Sequence, residues 1–433
     1  MIKKLFSVYA SNMLLGILGF ITVPVLLAHM GIEGYGYYGI YLTLFSYYTL
    51  FELGIIKHFT KLLSQNNNAE LQKVISCFYY FTVAMIILSI PFIVPIIQAG
   101  FGVPWKYALL LGVMVPIEYV LYMPSKIHIA YAAANKKFER ISAFNLVSGL
   151  IRYMLLIIGA VVTQHIFIVL LLLTLRRIFD IRLSRRMIRE GHIRIFDLGQ
   201  VNRDNLRQVF RYYKESFFLS VTQALQINLS GMMALMVSHW FGVAGLGLFR
   251  STYDVLSKIW FFSNGLGMVV FPYFAGGSVK TANYRKYTLI SWGFYSVLLL
   301  VFICLFPYVN QYMLHGLLQG RSDFLLYLFM LISVLLAAQS NLSYEYLQAR
   351  GEYKSLWLIT LVTNLVFGAC AFVVYSYTHS LLSVGIAWTS GLILQTCWFE
   401  AKSLKPIKLA FWYPLAFAAC WLLAGYVCLR LQF

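Results

Sequence analysis

The chain has 433 residues, of which 61% are hydrophobic and only 11% are charged. A soluble domain carries about 25% charged residues, so this composition excludes a cytosolic enzyme, a disordered tail, a coiled coil and a secreted disulfide scaffold. It indicates an integral membrane protein with almost no extramembrane domain. The net charge of +19 lies between apolar runs, where it is typical of cytoplasmic loops and not of nucleic-acid binding.

Thirteen apolar runs are long enough for a membrane-spanning helix, which needs about 20 residues. The first follows Lys3 and Lys4 and is too long for the apolar core of a signal peptide, so we expect an uncleaved helix. All six cysteines lie in apolar runs without a C-x-x-C pair, so we expect no metal site, disulfide framework or cofactor. The runs are 5–28, 37–60, 74–98, 106–131, 141–162, 164–181, 216–239, 247–272, 287–310, 324–347, 355–378, 380–399 and 409–429.

The basic residues predict the orientation of these spans. With the N-terminus in the cytoplasm, 28 Lys and Arg residues fall on the inside, 3 fall on the outside and 3 lie within spans. Such an imbalance is the positive-inside pattern of membrane proteins. We therefore expect a cytoplasmic N-terminus and a cytoplasmic segment at 176–214, while the side of the C-terminus depends on whether 409–429 spans the membrane.

A glycine motif occurs twice, with the pattern G-h-x-G-h-G-h-aromatic at 31–38 and again at 242–249, 211 residues later. A second match pairs 134–138 with 349–353, at an offset of 215 residues. Six spans separate the equivalents, so the two copies run in the same direction and form a parallel repeat. The sequence therefore predicts an all-α polytopic membrane protein with two six-helix lobes. Its segments are an N-terminal lobe at 1–182, a basic cytoplasmic linker at 183–214, a C-terminal lobe at 215–400 and an extra apolar C-terminal helix at 401–433.

The end of the linker, 204–214, places apolar residues on one helical stripe and arginines off it. This pattern is typical of an interfacial helix that lies on anionic membrane lipids. The alternative is that the basic residues serve only topology. The stripe contains Leu206, Val209, Phe210 and Tyr213, and the arginines are Arg203, Arg207 and Arg211.

The first helix, the loop 31–36, the tyrosine-rich second span and the turn Ala134-Asn135-Lys136-Lys137-Phe138 resemble bacterial polysaccharide transporters. In particular they resemble the O-antigen flippases of the multidrug/oligosaccharidyl-lipid/polysaccharide exporter superfamily, over spans 1 to 12. The resemblance implies a bacterial inner-membrane protein that moves an undecaprenyl-pyrophosphate-linked oligosaccharide from the cytoplasmic to the periplasmic leaflet by alternating access. It also implies a place in lipopolysaccharide biosynthesis, beside the polysaccharide polymerase machinery. The thirteenth apolar segment departs from the twelve-helix plan of this family.

Basic residues within spans are costly and therefore point to function. Arg250, Asp254 and Lys258 recur every four residues in span 8, so we expect them on one helix face with Asp254 between the two cations. Arg152 lies halfway along span 5 with no acidic residue within four positions. Two interpretations stay open: these four residues bind the anionic head group of the substrate, or they form ion pairs that only stabilise packing.

Membrane-buried carboxylates can couple transport to H⁺ or Na⁺. Glu118 is the first candidate, because Pro116 and Pro124 flank it and loosen its helix. Glu118 and Glu52 are also the possible partners of Arg152. The expected membrane carboxylates are Glu52, Glu118, Asp254 and Glu345, and the candidate ion-coupling residues are Glu118, Asp254 and Glu52.

Two other functions compete with the flippase. A multidrug exporter of the same fold needs an apolar and acidic cavity for organic cations, whereas span 8 is net cationic. An integral-membrane enzyme that polymerises or modifies polysaccharide needs catalytic groups on sizeable loops. The outside loops are short and contain no Ser-His-Asp set, H-E-x-x-H motif or phosphate-binding glycine loop. The sequence therefore predicts a transporter and not an enzyme.

Overall fold

The computed structural model describes residues 2–52, 55–56, 59, 68–135, 137–187, 195–260, 281–350, 352–403 and 414–423. Within these ranges the chain is almost entirely helical, and short 3₁₀ and π turns join or extend the long helices. The helices are α1 (Ile2–Tyr48), α2 (Asn68–Phe101), α3 (Trp105–Ala134), α4 (Phe138–Thr163), α5 (Ile166–Met187), α6 (Arg203–Leu256), α7 (Thr281–Cys304), α8 (Arg321–Ala349), α9 (Tyr353–Thr378), α10 (Leu382–Ser403) and α11 (Pro414–Leu423).

In the described part of the chain, nine helices are long and apolar enough to cross a membrane. Two of them, Met13–Glu52 and Ser220–Ile259, contain 40 residues each. A single crossing needs about 20 residues, and both helices are interrupted by one glycine with a non-helical backbone, so each supplies two of the predicted spans. The predicted span 6 is α5, whose charged residues keep its apolar character low. The predicted thirteenth span is described only over its ten helical residues in α11.

The two interrupting glycines have the same backbone conformation. Gly31 in α1 has φ 67° and ψ 178°, and Gly242 in α6 has φ 72° and ψ −178°. Only glycine adopts such angles without steric cost, and these residues occupy the first position of the two glycine motifs. The repeated motif therefore produces the same sharp turn twice.

The ends of later helices repeat in the same way at an offset of 215 residues. The amides of Asn135 and Arg350, which follow α3 and α8, each donate to a carbonyl four residues earlier. Gln164 and His379 follow α4 and α9, and both are left-handed, with φ 51° and 46°. These equivalences confirm the predicted fold class, an all-α membrane protein built from a parallel helical repeat.

The chain packs into two compact units. Unit 1 contains Met1–Leu18 and His29–Gly247, and unit 2 contains Gly19–Ala28 and Leu248–Phe433. In unit 1, α5 packs against α3 and α4, and α2 packs against α3. In unit 2, α10 packs against α8 and α9, and α7 packs against α8. These units do not test the predicted lobe boundaries, because the lobes were defined from the sequence repeat and the units are defined by packing. The lobe boundaries therefore stay predictions.

The two glycine motifs pack against each other within unit 1. A Cβ atom on Gly36 would collide with the carbonyl oxygen of Val243, and a Cβ atom on Gly247 would collide with the carbonyl oxygen of Ile32. Gly36 and Gly247 are equivalent positions of the repeat, as are Ile32 and Val243. The contact is therefore reciprocal, and each glycine leaves room for the backbone of the other motif.

The segment expected to form a separate interfacial helix is the first part of α6, which continues to Leu256. Val209 is buried, and the hydroxyl of the half-buried Tyr213 donates to the carbonyl oxygen of Phe51. The arginines Arg203, Arg207 and Arg211 are exposed. The amphipathic stripe is thus largely present, although its member Phe210 is 53% exposed. A contact with anionic lipid stays a prediction.

Candidate functional site

A group of buried charges lies in unit 1, where α3, α4 and α5 meet. We call it the Glu118 cluster; it contains three guanidinium groups and two carboxylates. Its hydrogen-bonding environment includes two tyrosines of α1, Tyr38 and Tyr41. The members are Glu118, Arg152, Arg176, Arg177 and Asp180.

Glu118 is completely buried and forms the centre of this cluster. Its Oε1 accepts a hydrogen bond of 2.9 Å from Nε of Arg177 and lies 2.8 Å from Nη2 of the same residue. Its Oε2 accepts a 2.5 Å hydrogen bond from the hydroxyl of Tyr41. The Arg177 guanidinium also lies 4.3 Å from the ring centroid of Tyr122. Both charges are therefore neutralised and hydrogen-bonded, which a buried ion pair requires.

Asp180 links the two arginines of α5. Its Oδ2 lies 3.1 Å from Nη2 of Arg176 and 3.3 Å from Nη1 of Arg177. Nη1 of Arg176 donates to the carbonyl oxygen of Ser148 in α4. In the part of the chain that the structure describes, Asp180 Oδ1 and Arg176 Nε are buried without a hydrogen-bond partner. The cluster thus retains one unused acceptor and one unused donor.

Arg152 differs from the other two arginines because its direct partner is not an acid. Its Nη2 donates a 3.2 Å hydrogen bond to the hydroxyl of Tyr38, and its guanidinium lies 6.0 Å from the ring centroid of Tyr153. The two predicted partners are engaged by other cations, Glu118 by Arg177 and Glu52 by Lys126. Within the described ranges, no carboxylate forms an ion pair with this half-buried guanidinium.

Glu52 belongs to a separate pair in unit 1. Its Oε1 lies 2.7 Å from Nζ of Lys126, and the hydroxyl of Tyr119 donates to the same oxygen. Lys126 lies on α3 and reaches the buried carboxylate of Glu52 from there. Lys57, the neighbour of Glu52 in sequence, lies outside the described residues.

The predicted set in span 8 lies in unit 2 and is partly brought together. Nε of Arg250 lies 3.2 Å from Oδ1 of Asp254, although its N–H is not aligned for a hydrogen bond. The Arg250 guanidinium lies 5.0 Å from the ring centroid of Tyr253. Helix α6 ends at Leu256, so Lys258 lies in a following 3₁₀ turn.

The sequence analysis did not single out three of these charges. It counted Arg176 and Arg177 with the cytoplasmic segment, and it left Asp180 out of the membrane carboxylates. The three residues are 6%, 8% and 1% exposed within α5, while the cytoplasmic location of the segment stays a prediction. The sequence did contain a signal for this group. Asp180 follows Arg176 by four residues and Arg177 by three, and these spacings place opposite charges on one helix face. The analysis also omitted Glu400, a completely buried carboxylate in α10.

The second copy of the repeat carries no charge at any position equivalent to the Glu118 cluster. Ser333 replaces Glu118, and its Oγ lies 2.9 Å from Oγ1 of Thr389. Phe367 replaces Arg152 and packs against Gly391, which replaces Arg176. The full set of equivalents at an offset of 215 residues is Ser333, Phe367, Gly391, Leu392 and Gln395.

No family model and no curated protein sequence matches this chain. Its fold is nevertheless similar to solved structures. It resembles the lipid II flippase MurJ in an inward closed conformation, with a TM-score of 0.74 and 14% identity over 98% of this chain and 93% of that chain.

Two multidrug transporters are also similar. One is an inward-facing multidrug resistance MATE family transporter of the MOP superfamily, with a TM-score of 0.67 and 11% identity over 96% of this chain and 98% of that chain. The other is the MATE multidrug transporter DinF-BH, with a TM-score of 0.66 and 13% identity over 95% of this chain and 96% of that chain. The chain therefore has the fold of the MOP superfamily transporters.

Proposed function

We propose that this protein is an inner-membrane flippase for a lipid-linked oligosaccharide with a pyrophosphate head group. The observation that carries the proposal is Arg152, a half-buried cation whose hydrogen-bond partner is the neutral hydroxyl of Tyr38. A phosphate oxygen is the natural partner of such a guanidinium, because charge-assisted hydrogen bonds are about twice as strong as neutral ones.

The balance of charge in the Glu118 cluster supports an anionic substrate. Three arginines and two carboxylates leave one positive charge, and Arg152 is the arginine without an ion pair in the described ranges. A cation on the substrate would be repelled by this surplus, whereas a pyrophosphate would neutralise it. The charge therefore favours a glycolipid over the organic cations of a multidrug exporter.

Arg250 and Lys258 of unit 2 are proposed as further substrate-binding residues. Asp254 lies 3.2 Å from Arg250 and would limit repulsion between cations while the site is empty. The lipid tail would stay in the bilayer, since only the head group requires a polar route. Alternating access would then carry the head group from one leaflet to the other. This proposal is supported by the similar fold of MurJ, which is a lipid II flippase.

Ion coupling is proposed for Glu118, with Asp254 and Glu52 as further candidates. Glu118 holds Arg177 and Tyr41 at once. Protonation of this carboxylate would remove the negative charge opposite Arg177 and leave a larger positive surplus for an anionic substrate. Binding of a proton and of the head group would therefore favour each other.

The test is complementation of a strain of the native host that lacks this gene, with surface glycan as the readout. Arg152→Ala should abolish surface glycan at normal expression, and Arg152→Lys should retain part of it. The matched control is Arg182→Ala, which removes an exposed arginine of α5. Full glycan in the Arg152→Ala strain would refute the assigned role of Arg152. Normal glycan in the deletion strain, together with sensitivity to organic cations, would favour the multidrug exporter.

A further inference from the structure

Unit 2 contains a buried carboxylate that the proposed transport mechanism does not use. Glu400 lies on α10 and is completely buried. Its Oε1 accepts a 2.9 Å hydrogen bond from Nε1 of Trp292 in α7 and a 2.8 Å hydrogen bond from Nε2 of Gln339 in α8. In the described residues, Oε2 is buried and has no hydrogen-bond partner. One carboxyl oxygen is therefore doubly occupied, and the other is unoccupied.

Both neighbours of Glu400 can act only as donors in this arrangement. The indole N–H of Trp292 has no acceptor function. The amide oxygen of Gln339 lies 2.6 Å from the hydroxyl of Ser291, which also lies 2.9 Å from the carbonyl oxygen of Thr288. In this orientation the amide nitrogen faces Glu400. The two groups that contact Oε1 are N–H donors, so neither of them can be a ligand of a metal ion bound to that oxygen.

No basic group in the described part of the surrounding helices forms an ion pair with Glu400. Cys397, one turn earlier on α10, is the titratable group that interacts with it electrostatically. Lys402 lies 3.6 Å from Glu352 instead. Other titratable groups on the helices of this region include Lys286 of α7 and Lys354 of α9, which are exposed, Glu345 of α8, which is half-buried, Arg350 after α8, which bonds to Tyr346, and Cys420 of α11, which is exposed.

This arrangement matches a neutral carboxylic acid. The carbonyl oxygen of a protonated carboxyl group has two lone pairs and accepts two donors, while the hydroxyl oxygen carries the hydrogen. An ionised carboxylate that is fully buried without a cation is strongly unfavourable. We infer that Glu400 is a proton-binding site of unit 2, built from Glu400, Gln339 and Trp292 and distinct from the carboxylates of unit 1.

Protonation of Glu400 favours the close packing of the helices around it. Trp292 stacks on Phe417 of α11, with ring centroids 4.7 Å apart. A negative charge on Glu400 would be placed beside this apolar contact and would need water to reach it. Release of the proton therefore requires α10 to separate from α7 or α8. The equivalent position in the first copy is Arg185, which is exposed, so the proton site belongs to the second copy alone.

The test is infrared spectroscopy of the full-length protein in liposomes, in sodium-free buffer at neutral pH. We expect a C=O stretching band of a protonated carboxylic acid that is lost in Glu400→Gln. The band should remain in the control Glu352→Gln, because Glu352 is paired with Lys402 and partly exposed. Identical wild-type and Glu400→Gln spectra in this region would overturn the inference. Loss of the band on addition of Na⁺ would overturn it as well, since a metal cation would then displace the proton.

A second variant gives an independent test if Glu400→Gln does not insert. Trp292→Phe removes one of the two hydrogen bonds to the carbonyl oxygen and should shift the band to higher frequency, because a C=O bond stretches faster with fewer donors. Trp421→Phe is the matched control, since the indole of Trp421 donates to Ser296 and not to Glu400. An unshifted band in Trp292→Phe would overturn the assignment of the proton to Glu400.

Discussion

The interface between α3 and α5 and the interface between α8 and α10 occupy the same place in the two copies of the repeat, yet they are built from different chemistry. The first contains Glu118 and Arg177 as a buried ion pair. The second has a hydroxyl pair, Ser333 and Thr389, at 2.9 Å. Helix lengths are alike, at 30 and 29 residues for α3 and α8 and 22 residues for each of α5 and α10.

This difference teaches that the helical repeat does not need the charges. A buried ion pair is often no more stabilising than well-packed neutral residues of similar volume, and the second copy achieves the same packing without one. The charges of the first copy therefore add something other than stability. The use proposed above for this net positive cluster is the binding of an anion.

The largest effect is expected where the two copies are alike. Gly36→Ala and Gly247→Ala should each destabilise the protein by about 4 kcal/mol or more, because each new Cβ atom would collide with a backbone carbonyl that cannot rotate away. Thermal unfolding in detergent measures the loss. Gly293→Ala is the control, since no atom lies within 4 Å of its added Cβ atom. A large loss in one variant and none in the other would show that the contact is not reciprocal.

A large effect is also expected where the copies differ. Glu118→Ser introduces the residue of the second copy but leaves Asp180, at 3.3 Å, as the remaining carboxylate paired with Arg177 among the described residues, so stability should fall by about 3 kcal/mol. Adding Arg177→Leu, again the residue of the second copy, should restore most of this loss. The same unfolding measurement compares the single and double variants. A double variant that is less stable than Glu118→Ser would mean that the first copy depends on its charges for folding.

Arg152→Phe separates stability from transport. The equivalent residue, Phe367, is completely buried in the second copy, so the variant should unfold within about 1 kcal/mol of the wild type. Transport should fall about 10- to 100-fold, as expected from the loss of a hydrogen bond to a charged group. The measurement is surface glycan in the complemented deletion strain. Normal glycan with Phe at this position would assign Arg152 to packing.

The smallest effect is expected in the neutral interface. Ser333→Ala removes the 2.9 Å hydrogen bond to Thr389 and the 2.8 Å bond that the hydroxyl donates to the carbonyl oxygen of Phe329 one turn earlier in its own helix. Thr389 retains its 3.0 Å bond to that carbonyl oxygen. The variant should lose about 1 kcal/mol of stability and keep full transport. Detergent unfolding and the glycan measurement together check this expectation. A transport defect here would show that the second copy also carries substrate-binding groups at this interface.

The helices and their repeat could be predicted from the sequence because hydrophobicity and glycine position are local signals. The turns at Gly31 and Gly242 follow from a motif that is visible in eight residues. The Glu118 cluster could not be predicted in the same way, since Arg177 is 59 residues from Glu118 and Arg152 is 114 residues from Tyr38. Counting positive charges did not single out Arg176 and Arg177 either, because it grouped them with the other basic residues of the segment 176–214.

The reciprocal contact of Gly36 with Val243 and of Gly247 with Ile32 has the form of an isologous interface, in which residue i meets residue j and j meets i. Two identical chains form such an interface when they associate around a two-fold axis. A half-length ancestor carrying one glycine motif would therefore already have possessed this contact as a homodimer. The present chain keeps this contact although its two copies differ in sequence at the positions of the Glu118 cluster and of Glu400.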